Sequence, residues 1–139
     1  GAAPQASSTP AALFSPTTPD EIAVADLSRQ AILALPQGKW PELYDSFNAE
    51  FQARCPRGQF EQTGQTDAQA QGANLSRIGF KGLQEASVEG DSARAVIVGE
   101  VAGQSEYTIQ AYFTKAEGTW KLAPGPGTQG CVAFSRLSG

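Results

Sequence analysis

At Leu75 the hydrophobic rhythm of this 139-residue chain changes. Upstream, apolar residues recur three and four positions apart; downstream, β-branched and aromatic residues alternate with polar ones. The first rhythm belongs to helices with one buried stripe, the second to strands with one buried face. A chain that reads helix first and strand afterwards has few ways to bury both surfaces. It is expected to be α+β, with helices segregated to one side of an antiparallel sheet, rather than an alternating α/β fold.

The helical half begins at Thr18. Thr18 and Glu21 stand three apart as a capping box, Pro19 occupies the first helical position, and Asp20 suits the positive helix end. Ile22, Ala25, Leu27, Ala31, Ile32 and Leu35 form the expected inner side, and Pro36–Gly38 stops the helix. A second helix is expected in "GKWPELYDSFNAEFQARCP", where Trp40, Leu43, Tyr44, Phe47 and Phe51 make one continuous stripe. Cys55 precedes Pro56 and so avoids the helical region, which closes this helix. The pair reads as a helical hairpin. A Gln-rich stretch from Gln59 suggests a third short helix, interrupted at Gly64.

The strand half reads as a curved meander of about four strands, with Gly90–Asp91 and Glu117–Gly118 as turns. In "YTIQAYFT", Tyr107, Ile109, Ala111 and Phe113 share one face, and Thr108, Gln110, Tyr112 and Thr114 the other. "CVAFSRL" supplies a short last edge strand.

Residues 1–17 are Ala, Pro, Ser and Thr with little to bury, so a flexible tether is expected there, ahead of a single domain spanning 18–139. Leu13 and Phe14 are the exception and suit a small docking anchor. The chain carries no methionine, and its start is therefore expected to be processed, with residues missing upstream. Its net charge is −4 and its basic residues are scattered, which disfavours nucleic acid and anionic membrane as partners. Membrane contact is expected only through a missing N-terminal anchor. Cys55 and Cys131 are an even pair in such a chain and are expected to form a disulfide. That places the protein in an oxidising compartment: exported, at the cell surface or in extracellular or periplasmic space, and lipid-anchored when full-length.

Histidine is absent. Ser-His-Asp and Cys-His nucleophiles, and the common zinc and iron facial sites, all need an imidazole. No metal or redox cofactor is implied, and the cysteine spacing is not that of a CxxC motif. What remains is carboxylate and tyrosine chemistry, for which Tyr44, Asp45, Glu100, Glu106 and Tyr112 are available. Glu100 shares strand parity with Arg94, Val96 and Val98. It would qualify as a base if that face were covered. A buried carboxylate needs partners, however, and few basic residues stand near, so Glu100 is expected to be exposed, where Arg94 could pair with it, and not to act as a base. "NLS" at Asn74 matches a glycosylation sequon by pattern alone.

The order of parts resembles the NTF2-like superfamily, in particular the small NTF2-like domains of bacterial exported lipoproteins. The residues that carry the likeness are "GKWPELYDSFNAEFQARC" and the terminal hairpin "FTKAEGTWKL", in which Trp-Lys-Leu follows a Gly turn. The match covers residues 20 to 123. It implies a cone-shaped, NTF2-like or cystatin-like arrangement in which a curved sheet wraps over the helices around an open or plugged pocket. A cystatin-like inhibitor is disfavoured because its Gln-x-Val-x-Gly loop has no counterpart. Isomerase-like members use a tyrosine from an early helix, a place Tyr44 could take, but their aspartates are not recognisable here. Function does not follow from such a fold.

The expected role is therefore a non-enzymatic domain that binds a small apolar ligand or a protein partner. Trp40, Tyr44, Phe47, Tyr112 and Glu100 are the expected pocket. The rivals are an isomerase or dehydratase working with Glu100 and Tyr44, and a structural module that forms a homodimer through its sheet.

Overall fold

A computed structural model describes residues 13–102, 105–132 and 134–138, the last four of these by backbone alone. Most of the expected tether, residues 1–12, lies outside the described residues. The elements run α1 (Pro19–Gln37), α2 (Trp40–Asp45), α3 (Ala49–Arg54), α4 (Arg57–Gln71), a 3-10 turn (Gly72–Arg77), then β1 (Ile78–Glu89), β2 (Ser92–Val101), β3 (Ser105–Ala116), β4 (Thr119–Ala123) and β5 (Ser135–Ser138). The fold is α+β. The sheet is antiparallel in the order β1-β2-β3-β4, and β5 pairs with the stretch of β3 that β4 leaves open.

The capping box forms as expected, with Glu21 N–H donating to Thr18 Oγ1 at 3.1 Å and Thr18 N–H to Glu21 Oε1 at 3.2 Å. The buried side of α1 is rotated from the expected one, because Ile22 is 46% exposed while Val24, Ser28, Ala31, Ile32 and Ala34 are buried. A serine tolerates this core because its hydroxyl donates to Val24 O at 2.8 Å, which removes the penalty of an unpaired polar group. The helix ends at Gly38, in the left-handed conformation at φ 65°, as the "PQG" stop implies.

The expected second helix is two helices. The chain breaks at Ser46–Asn48, where Asn48 Oδ1 accepts from Phe51 N–H and caps α3 at 3.0 Å. The break has a tertiary use. Asn48 N–H donates to Leu122 O at 2.7 Å and Leu122 N–H to Ser46 O at 2.8 Å, so the link lies along the outer edge of β4. The opposite edge is met by the anchor, since Phe14 N–H donates to Leu83 O in β1 at 2.7 Å. Both ends of the open sheet therefore carry a backbone segment that blunts them against strand addition. β1 also bulges twice, between Phe80 and Gly82 and between Leu83 and Glu85, which bends the strand.

The third helix is neither short nor interrupted: α4 runs 15 residues straight through Gly64. Glycine there serves packing, because a Cβ at Gly64 would stand 2.8 Å from the Trp40 ring. The core lies between the helices and the inner sheet face. Ile32, Phe47, Phe51, Leu83, Ile97, Phe113 and Leu122 are its largest fully enclosed side chains. Each such burial stabilises the fold by roughly 1.5–3 kcal/mol before entropy is counted.

Candidate functional site

Register decides which candidate residues meet. Ala93, Ala95, Ile97 and Gly99 of β2 stand opposite Phe113, Ala111, Ile109 and Tyr107 of β3 on the inner face. Arg94, Val96, Val98 and Glu100 stand opposite Tyr112, Gln110, Thr108 and Glu106 on the other. Tyr112 and Glu100 are thus separated from the helices by the sheet itself, which removes both from a common pocket with Trp40, Tyr44 and Phe47. The outer face is a field of ion pairs: Lys81 with Glu106 at 2.5 Å and Arg94 with Glu85 at 3.0 Å. Glu100 sits half-buried beside Gly79, and its charge contributes to raising the Lys81 pKa, behind the larger effect of Glu106. Arg94 pairs with Glu85 rather than with Glu100.

Trp40, Tyr44 and Phe47 are core residues. Tyr44 Oη donates toward two backbone carbonyls, Cys55 O at 2.7 Å and Gln52 O at 3.2 Å. Its ring meets Phe60 at 5.4 Å, and Arg57 lies over it at 4.9 Å. Arg57 in turn pairs with Asp45, whose carboxylate is the first cause of a raised guanidinium pKa. The Tyr44 hydroxyl therefore locks the end of α3 in place, and among the described residues its hydrogen-bond partners are backbone carbonyls rather than a carboxylate.

The aromatic stripe continues into a groove. Phe47 stacks on Phe51 at 4.1 Å and meets Phe60 at 5.9 Å and Phe134 at 5.9 Å. Where this cluster reaches the surface, Leu35 of α1, Phe47, four residues of α4 (Phe60, Thr63, Gly64, Asp67) and three of the tail (Cys131, Val132, Phe134) line a cavity of about 490 Å³. Val132, 57% exposed, forms its outer lip. A smaller depression of about 290 Å³ between α1 and α2 is edged by Arg29, Gln30, Gln37, Lys39 and Glu42, a polar rim suited to water.

The tail wall of the larger groove is held by covalent and polar ties. Cys55 and Cys131 form the expected disulfide across a separation of 76 residues, with Cα atoms 4.9 Å apart. Cross-linking a loop of that size stabilises a fold by about 4 kcal/mol through chain entropy. Arg54 Nη2 adds bonds to Thr128 Oγ1 at 2.6 Å and Val132 O at 3.3 Å. The disulfide belongs to oxidising surroundings, and no described helix is long and apolar enough to cross a membrane.

Of the expected pocket residues, Phe47 alone reaches this groove. Phe60, Thr63, Gly64 and Asp67 escaped the sequence reading although they fall at i, i+3, i+4 and i+7 of one helical face. Only one of the four is strongly apolar, so the stripe was too polar to register. Among the described residues, no three His, Cys, Asp or Glu side chains are grouped as metal ligands. Compared with protein-family models and with curated proteins, the chain finds no match.

Proposed function

We propose that this chain is an exported, NTF2-like binding domain that takes a small apolar molecule into the groove between α4 and the disulfide-held tail. The observation that carries this reading is the cavity of about 490 Å³ backed by Phe47, Phe60 and Phe134. Small-molecule sites are concave, mostly apolar and some 300–1,000 Å³ in volume. The NTF2-like reading is supported by helices preceding a meander sheet and by Trp120 and Leu122 of the Trp-Lys-Leu segment facing the core. Export is supported by the disulfide, with attachment through the Pro- and Ala-rich segment that reaches the fold at Leu13 and Phe14. Binding is favoured over proton transfer because the Tyr44 hydroxyl is spent on backbone and Glu100 lies across the sheet.

The test is a fluorescence titration with N-phenyl-1-naphthylamine. Thr63→Phe fills the mouth of the groove from an exposed rim position and is expected to weaken binding about tenfold, with the fold unchanged by circular dichroism. Unaltered affinity in Thr63→Phe would remove the groove as the site.

A further inference from the structure

Resting on the groove reading above, we propose that the ligand is a small amphipathic cation: an aromatic body seated among the phenylalanines, with one ammonium group at Asp67. Among the described residues that line the cavity, Asp67 is the only ionisable side chain, since Cys131 is consumed in the disulfide. It enters no ion pair among the described residues; the basic groups that do pair go to Asp45, Glu106, Glu85 and Asp20.

Two further fields point the same way. α4 ends at Gln71, one turn beyond Asp67, and its last turn holds no basic residue. The negative end of this 15-residue helix thus supplies no cation of its own beside that carboxylate. The ring faces of the lining phenylalanines are also negative and attract ammonium groups. Arg54, on the tail wall, is already engaged by Thr128 Oγ1, by Val132 O and by the face of the Phe51 ring. A carboxylate ligand would meet Asp67 and the helix terminus as like charges. An uncharged ligand would gain burial alone.

The experiment compares ligands of one shape and three charges: 1-naphthylmethylammonium, 1-naphthalenemethanol and 1-naphthoate, titrated at pH 7 and low salt. The ammonium compound is expected to bind about tenfold more tightly than the alcohol, from an exposed ion pair together with cation–π attraction, and naphthoate the least. Asp67→Asn should bring the ammonium compound close to the alcohol, removing most of the roughly tenfold difference between them. If the alcohol or naphthoate binds as well as the ammonium compound, or if Asp67→Asn keeps the preference, the cation assignment is overturned and the groove stands. If none of the three binds, or if Thr63→Phe affects none of them, the groove reading falls together with it.

Discussion

The two faces of the sheet are built from the same strands yet hold different chemistry. The inner face sets Ala95, Ile97, Ala111 and Phe113 against helices; the outer sets Arg94, Glu100, Tyr112 and Glu106 against one another and solvent. Even Val96 and Val98, 7% exposed on the outer side, lie outside the core cluster. The difference teaches that a tyrosine under the sheet and a glutamate over it cannot share a proton, however well each suits the task. Catalytic promise read along a strand has to be divided by two, because parity assigns half of it to the other side.

The sharpest way to break this asymmetry is to cut into the core. Phe51→Ala removes a ring that is fully enclosed and stacked on Phe47, and is expected to cost about 3–5 kcal/mol in urea unfolding. A cost below about 1 kcal/mol would mean that the inner face is no better packed than the outer one. Gly99→Ala probes the same face from the opposite direction. Its Cβ would stand 2.5 Å from the Tyr107 ring, so overpacking by about 1–3 kcal/mol is expected, and neutrality would show that the ring is free to move.

A gentler test uses protons at the end of the molecule away from the groove. Asp20 accepts from Trp120 Nε1 at 2.9 Å and from Lys115 Nζ at 3.1 Å, and these bonds, the indole first, lower its pKa. Glu21 is lowered chiefly by the backbone N–H groups of Thr17 and Thr18. Groups whose folded pKa is depressed add stability that is complete above their unfolded values, near about 4, and that is lost as pH falls through the folded ones. Urea midpoints should therefore drop below about pH 4, less steeply in Asp20→Asn than in the parent. Equal slopes would detach α1 from β4 electrostatically. The smallest effect is expected on the outer face, where Arg94→Ala should change stability by no more than about 0.5 kcal/mol. A larger loss would show that the ion pair with Glu85 holds β1 to β2.

Much of this molecule was legible from residue order, and the misses share a cause. The α+β class, the capping box at Thr18, the stop at Gly38 and the faces of β3 follow from local rules, and the Cys55–Cys131 bridge from there being two cysteines in the chain. The break in the second helix had a local sign too, since Asn48 is a strong N-cap, but the unbroken aromatic stripe outvoted it. The groove was harder to see, because α4 presents it with Thr63, Gly64 and Asp67, residues that carry no apolar signal.

What the sequence determined by itself is whatever depends on near neighbours, namely periodicity, caps, turns and alternation, together with the exclusion of imidazole chemistry by composition. The tertiary structure alone decided which side of the sheet the helices cover, and so parted Glu100 from Tyr44. It also decided that the tail folds back onto α4, enclosing the groove. Those outcomes rest on contacts between residues tens of positions apart, where loop closure, register and packing volume act together and no short stretch of sequence carries their sum.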